Sequence, residues 1–579
     1  MAFRGFKMQG SVESNGGPIF LGDTKIQAES IHFGSRHDPG KFEAKFEPTG
    51  QFQCLRDLYS IDSVDPLAEK LRLEQAADEL IESAYHWIFE DRAFQQWLDG
   101  GEHRILRITG DPGKGKSIMM IGIIDYLAEL LPKSKRCAMT FFFCRATDDR
   151  LSTADAVLRG LLHRLLDQKS NEILVKYLQT RHETRGSKIF EGSSARFILQ
   201  EVLVDILNDQ SFDEYYLFVD GLDECSENLK DLLALIKFTT EKAPKLRWMV
   251  SSRNYEKIDR FFRTVDHHRA IVLEASQNQV DRGIATYIGK KADFLTERYE
   301  LAPEQGDKIV KVLSEKAQGT YLYVHLVCKA LVESDRWTRA EKILNDIPPG
   351  LDAMFGRMAE NLVQATSDSE DRRLCCLLLS TVTFALRPLR PSELVAIVNS
   401  GTRESEQSLK ELVRIITKCG SFLTLEADTS LVSQTVTKSE DTIYFVHQSA
   451  KDFLEAQVKL GESIISGSID SNHQLIAKSC LALLINRLQQ NICNLESPEA
   501  PPPGLDDIKV SAMIDLEYAS CNWASHLKAL SIHPFQELTD LVQDFMKERL
   551  LYWIEVLTIL GKVNYGVTQI QYLLDIYQV

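Results

Sequence analysis

Between an apolar run and an amphipathic one the chain carries Gly110-Asp111-Pro112-Gly113-Lys114-Gly115-Lys116-Ser117, which fits G-x-x-x-x-G-K-[ST] without a gap. The chemistry of such a segment is phosphate binding. Its glycines let the backbone curl so that N–H groups face an anion, and the N-terminus of the following helix adds a favourable dipole. Lys116 is expected to reach the β- and γ-phosphates, and the Ser117 hydroxyl to ligate Mg²⁺. Farther along, the apolar run Tyr215–Val219 ends in Asp220-Gly221-Leu222-Asp223-Glu224, the form of a Walker B element. Asp220 is expected to hold Mg²⁺ through water, and either Asp223 or Glu224 to orient and polarise an attacking water. A third run, Leu246–Ser251, puts Arg253 at the carboxyl edge of a sheet, where ligands bind in open α/β folds and where a guanidinium can read a γ-phosphate.

These residues need a sheet to bring them together. Short apolar runs at Arg104–Thr109, Ala138–Cys144, Tyr215–Val219, Leu246–Ser251 and Ala270–Leu273 alternate with amphipathic stretches such as Ser117–Leu131. The alternation predicts an α/β P-loop NTPase core, a parallel sheet with helices on both faces. Beyond it the strand signal fades, and Gln277–Tyr299, Glu304–Ala317 and Tyr321–Glu333 read as helices before the break at Ile347-Pro348-Pro349-Gly350. Helices then give way to two strand-like runs, Phe422–Leu425 and Ile443–Val446, a mixture that fits a winged-helix unit. The remainder reads as helical around a loop at Ser497–Gly504.

The expected division is an N-terminal appendage at 1–50, a helical linker at 51–102, the nucleotide-binding domain at 103–275, a helical domain at 276–370, a winged-helix domain at 371–460 and a C-terminal helical domain at 461–579. In the appendage, Gly17–Asp23 and Ile31–Gly34 alternate apolar and polar residues between glycines. That pattern suits a short β-forming signalling motif, an edge hairpin or a disordered tail.

Composition narrows the function classes. With 579 residues and 44% hydrophobic content the chain can bury several cores. A formal charge of −16 with interspersed acids and bases lacks the basic face of a sequence-independent nucleic-acid binder. The N-terminus MAFRGFKMQGSVESNGG has no apolar run of a secretory leader, and the longest apolar stretch, Leu374–Leu386, is far short of the roughly 20 residues that span a bilayer. Eleven cysteines with no CxxC pair read as reduced thiols, so the expected compartment is the cytoplasm.

The ordered set of segments resembles a NACHT domain of the STAND class, the signal-transduction NTPases that include the NOD-like receptors, in the form met in fungal vegetative-incompatibility factors. The segments are CLRDLYSID, HWIFEDRAFQQWL, GDPGKGKS, FFFCRATDDRLSTADAVLRGLLHRLL, LFVDGLDEC and WMVSSRN, followed by GTYLYVHLV, IPPGLDAMF, LRPLRPSEL, VHQSAKDFLE and NWASHL. The resemblance implies that Arg253 takes the sensor position and that His447 contacts the β-phosphate of ADP from the winged helix. It also puts Tyr321 where related helical domains set a proline against the adenine. Relatives carry an N-terminal effector and C-terminal repeats, and LYWIEVLTILGKV precedes the repeats in them, so this chain is expected either to lack a repeat sensor or to be a truncated product.

The function the resemblance implies is an ATP/ADP-operated switch in incompatibility, programmed cell death or innate immunity. Mg²⁺ and ADP hold the domains closed, exchange for ATP opens them, copies of the chain self-associate, and a downstream effector is recruited. Weak ATP hydrolysis resets the switch. The rival reading is an enzyme, a kinase or turnover ATPase using the same loop. A catalytic loop of H-R-D type and an N-K-x-D guanine motif are both missing from the sequence.

Overall fold

Strands buried along all or most of their length, with one largely exposed edge strand, make the central sheet. The computed structural model describes residues 50–58, 64–76, 85–100, 102–131, 136–148, 150–190, 194–225, 228–365, 369–401, 414–416, 419, 422–427, 441–460, 465, 467–492, 513–531 and 536–577. The Gly17–Asp23 and Ile31–Gly34 segments of the appendage and the Ser497–Gly504 loop lie outside the described residues.

Five strands, β1 (Ile105–Thr109), β2 (Cys137–Phe143), β3 (Glu214–Asp220), β4 (Leu246–Ser252) and β5 (His268–Val272), pair in parallel in the order β2-β3-β4-β1-β5. Successive residues serve opposite faces, as the period of two requires. Leu106, Ile108, Phe218 and Met249 share a core with Met119 and Ile123 of the helix Lys116–Leu130. Ile105, Leu217 and Val250 pack on the other face against Leu158 and Leu161 of the helix Ala154–Leu166 and Leu232 and Ile236 of the helix Leu229–Lys242. A sheet covered on both faces reads as unbroken apolar runs, which is why its strands were legible.

One buried charge interrupts β1. Arg107 is 5% exposed, and it is held by the Ser252 hydroxyl (3.0 Å), by Asp259 (2.7 Å) and over the Phe262 ring. A buried charge paired in this way keeps its place in a strand.

The helices Gln277–Arg298, Pro303–Lys316, Tyr321–Val332 and Trp337–Asp346 follow the sheet. Beyond them, β6 (Leu423–Ala427) and β7 (Asp441–Phe445) form an antiparallel pair, and Leu389 bridges to Ile443. The helix Gln448–Leu460 leaves directly from β7. Among the described residues no helix is long and apolar enough to cross a membrane.

A buried polar cluster gives the LRPLRPSEL and NWASHL segments a physical role. Arg387 forks onto Glu393 at 2.6 and 2.9 Å, Arg390 donates to Glu517 at 2.7 Å, and the Tyr518 amide donates to Glu393 at 3.1 Å. The Tyr518 hydroxyl lies 2.7 Å from His526 Nε2, and His526 Nδ1 lies 2.8 Å from His473 Nδ1. Burial is the main reason that both imidazoles stay below their ordinary pKa, so they pair as neutral rings. Glu517, Tyr518 and His526 all lie on the helix Glu517–Lys528, so the cluster ties the 387–393 segment and the helix Ile469–Arg487 to that one helix.

Candidate functional site

The phosphate loop begins where β1 ends. Gly113 and Gly115 have φ of +77° and +84°, a left-handed backbone that a side chain would strain. Gly115 has a second reason to be glycine, because a Cβ there would sit 3.0 Å from the Tyr321 ring. Lys116 Nζ donates to the carbonyls of Gly110 (2.6 Å) and Asp111 (3.0 Å), holding the ammonium inside the loop. Its pKa is lowered by burial, against the pull of Asp223 and Asp220. Two loop positions matched by the motif face elsewhere. The Asp111 amide donates to Glu274 at 2.7 Å, and Lys114 reaches Gln277 at 3.4 Å. Pro112 lines the cavity above the loop.

At the end of β3, Asp220 Oδ2 accepts the Ser117 hydroxyl at 2.6 Å, and Asp220 Oδ1 accepts that of Ser251 at 2.5 Å. Ser251 in turn accepts the Gly221 amide at 2.8 Å, so the β4 serine fixes the turn after β3. Burial raises the Asp220 pKa, opposed by the two hydroxyl bonds. Among the described residues no cluster of three or more His, Cys, Asp or Glu side chains is set to hold a metal. Ser117 and Asp220 nevertheless fit Mg²⁺, since that ion takes one or two protein oxygens and leaves the remaining positions to water and phosphate. Bound there, it would neutralise phosphate charge.

The two acids that the sequence leaves open as the water-orienting group have different surroundings. Asp223 accepts the Arg253 amide at 2.8 Å and pairs with Arg253 Nε at 3.2 Å, so both its oxygens are engaged. Glu224 accepts the Ala146 amide at 3.2 Å. Its carboxyl is pushed up to about 8, first by burial and then by Asp223. The contacts favour Glu224 as the base.

Arg253 sits just past β4, and its Nη1 lies 2.5 Å from Asp452 Oδ2 on the helix after β7. Burial lowers its pKa, but Asp452 and then Asp223 outweigh that and leave it raised. His447, at the start of the same helix, accepts the Ser449 amide at Nδ1 (3.0 Å). Burial, then Arg253, brings its pKa down to about 4, so the ring is neutral at pH 7 and carries its proton on Nε2. That leaves Nε2–H as a donor.

A cavity of about 280 Å³ joins these groups, lined by the phosphate loop, by Asp220, Asp223, Glu224 and Arg253, and by His447. The sequence reading missed part of its wall. Arg145, two residues past the end of β2, pairs with Glu69 (2.9 Å) and lies over the Tyr444 ring at 4.6 Å, while Arg72 holds the same Glu69. Local spacing marks only the Glu69–Arg72 pair, three residues apart on the helix Pro66–Ala76, whereas Arg145 follows β2 and Tyr444 lies on β7. Tyr321 also lines the cavity. Its amide donates to Gly113 O at 2.9 Å, and its buried hydroxyl has no hydrogen-bond partner among the described residues.

Fold and site together define a P-loop NTPase, and similarity in sequence supports a NACHT-like, STAND type. In sequence the chain is similar to the vegetative incompatibility protein HET-E-1 of Podospora anserina, with 32% identity over 544 residues and 90% of this chain. The chain spans 38% of that protein's length. The family model of the nephrocystin 3 N-terminal region matches residues 83–253, from before the phosphate loop to Arg253. Among solved structures the chain is similar to the Aeropyrum pernix ORC1 protein in complex with DNA, at 13% identity and a TM-score of 0.31, covering 64% of this chain and 90% of that one. Cdc6p from Pyrobaculum aerophilum is similar at 14% identity and a TM-score of 0.27, covering 67% and 91%.

Proposed function

We propose that this chain is an ATP/ADP-operated signalling switch, acting in the cytoplasm in incompatibility or related cell-death responses. One observation carries the reading. His447, from the winged helix, lines the same cavity as a phosphate loop some 330 residues away. An enzyme that only turns over ATP gives no reason for a separate domain to touch the nucleotide site. A switch requires contacts that differ between two states, and an interdomain donor to phosphate is such a contact. In the closed state Lys116 and His447 hold ADP with Mg²⁺ between the domains. In the open state the winged helix leaves the site, and the exposed surfaces assemble copies of the chain and engage an effector protein. Hydrolysis with Glu224 as base is slow and returns the chain to the closed state.

The test is size-exclusion chromatography with light scattering, first in Mg·ADP and then in a non-hydrolysable ATP analogue. The mass is expected to grow with the analogue. A mass that stays the same in every nucleotide would sink the reading in favour of an ordinary ATPase or kinase.

His447→Ala is expected to loosen the closed state without harming the loop. A neutral hydrogen bond contributes about 0.5–1.5 kcal/mol, and one to a charged acceptor about 1.5–3 kcal/mol. A loss of ~1.4 kcal/mol shifts the open-to-closed ratio about tenfold. ADP release should quicken by about that factor, and the oligomer fraction at equal ATP should rise. Stopped-flow release of labelled ADP checks this. Equal off-rates in variant and wild type would make His447 a packing residue only.

A further inference from the structure

Glu224 is gripped by a backbone amide from the neighbouring strand end. β2 and β3 pair with Phe143 beside Asp220, and the ladder continues one step, the Cys144 amide donating to Asp220 O at 3.0 Å. That register brings the residues after β2 alongside the turn after β3, and the Ala146 amide meets Glu224 Oε2 at 3.2 Å. The segment that presents this amide is folded back on itself by backbone bonds. Arg145 N–H donates to Leu151 O (3.2 Å), Asp148 N–H to Arg145 O (3.0 Å) and Leu151 N–H to Asp148 O (2.8 Å). A carboxylate with no exposed surface locks the fold. Asp148 Oδ1 accepts the Arg150 amide (3.0 Å) and Nε (2.9 Å), and its Oδ2 accepts Arg150 Nη2 (2.8 Å). Burial opposes its ionisation, but Arg150 and then Arg145 hold its pKa down to about 2, so it stays charged wherever Glu224 titrates. Asp148 does not line the cavity, so the nucleotide gives no reason for it.

We propose that Asp148 is a positioning residue for the hydrolytic base: by closing the segment after β2 it aims the Ala146 N–H at Glu224 Oε2 and leaves Oε1 to face the attacking water. This rests on the reading of Glu224 as base given above. Water's oxygen bonds to the terminal phosphorus, the bridging oxygen leaves with the diphosphate, and the proton of the water passes to Oε1. An N–H donated to one oxygen of a carboxylate favours its ionised form and restricts its rotation, so the same bond sets both the basicity of Glu224 and the oxygen it uses. The other charged or titratable groups that face Glu224 are Asp223 and Asp220 from the end of β3, Arg253 from the end of β4, Lys116 from the phosphate loop and the Cys144 thiol. The two acids oppose its ionisation, and Arg253 joins the Ala146 amide in favouring it.

The test is single-turnover hydrolysis of Mg·ATP by the full chain, followed across the pH range on both sides of 8, with affinity for a non-hydrolysable analogue measured alongside. Asp148→Asn loosens the segment from its buried side, and Arg150→Gln loosens it through a side chain 21% exposed. Both variants are expected to bind the analogue about as tightly as wild type, because neither residue touches the phosphate loop. The midpoint of the rise in rate is expected to move up by roughly one pH unit, since two or three such N–H bonds together depress a carboxyl by more than two. The rate at pH 7 then falls about tenfold with the fraction of base present, and well above the midpoint most of it returns. A segment that served only for packing would lower the rate by the same factor at every pH. A wild-type midpoint in either variant that binds the analogue overturns the assignment, whether or not the rate falls, and if Asp148→Asn loses analogue binding Arg150→Gln decides. Hydrolysis at the wild-type rate in Glu224→Gln removes the base reading itself, so the two failures are told apart.

Discussion

Lys116→Ala is expected to lose about a hundredfold or more of nucleotide affinity, the largest binding effect in this chain. The ammonium is held at the heart of the loop by Gly110 O and Asp111 O, in a site dry enough to lower its pKa. Removing one partner of a buried, hydrogen-bonded charge pair costs about 2–5 kcal/mol, so more than one decade of affinity is at stake. Its neighbour provides the control. Lys114 is also a loop lysine, but its side chain contacts Gln277 at 3.4 Å, so Lys114→Ala should keep affinity close to wild type. Titration with a fluorescent nucleotide reads both. Bound nucleotide stabilises the folded state by mass action, so Lys116→Ala should also lose the rise in melting temperature that wild type shows with added ADP. Equal affinity in Lys116→Ala and wild type would remove the loop from the nucleotide site.

Glu224→Gln is expected to bind Mg·ATP and hydrolyse it on the order of a hundredfold more slowly, the scale of a lost general base. The amide keeps the shape and loses the basicity. The carboxyl titrates at about 8 rather than at 4.5, so in wild type most of the base form is absent at neutral pH and hydrolysis should accelerate as pH rises toward 8. The Gln variant should show no such rise. Stability moves the other way. A carboxyl whose folded pKa is raised contributes no penalty below about 4.5, where it is neutral in both states, and costs stability progressively as pH rises through 8. The nucleotide-free Gln variant should therefore melt above wild type at pH 8 and close to it at pH 5. Hydrolysis at the wild-type rate in Glu224→Gln would return the role to Asp223, whose pairing with Arg253 would then have to break during the reaction.

The five strands, the phosphate loop and the Walker B acids were legible because each signal is local. Eight consecutive residues set the loop, and strands covered on both faces leave unbroken apolar runs. The edges differ by a residue or two, as where the run Ala270–Leu273 becomes a strand His268–Val272, because the end of hydrogen bonding does not follow hydrophobicity. The strand end alone put Arg253 at the carboxyl edge of the sheet, whereas His447, which lines the same cavity, was singled out only by the family resemblance.

What remained hidden was every contact made between distant segments. Strand order decides that Ser251 of β4 stands beside Asp220 of β3, and hydrophobic periodicity carries no information about strand order. The choice between Asp223 and Glu224 could not be made from two adjacent acids in a turn. It depends on which of them Arg253 takes, and that follows from where β4 ends relative to β3. Asp452 meets Arg253 across 199 residues and Glu69 meets Arg145 across 76, and nothing in either local sequence announces its partner. The sequence by itself thus determined the chemistry available to this chain, because phosphate binding needs only a loop and a strand end. Which charges face each other across the cavity was decided by the tertiary structure, because an ion pair depends on distance in space and not on separation along the chain.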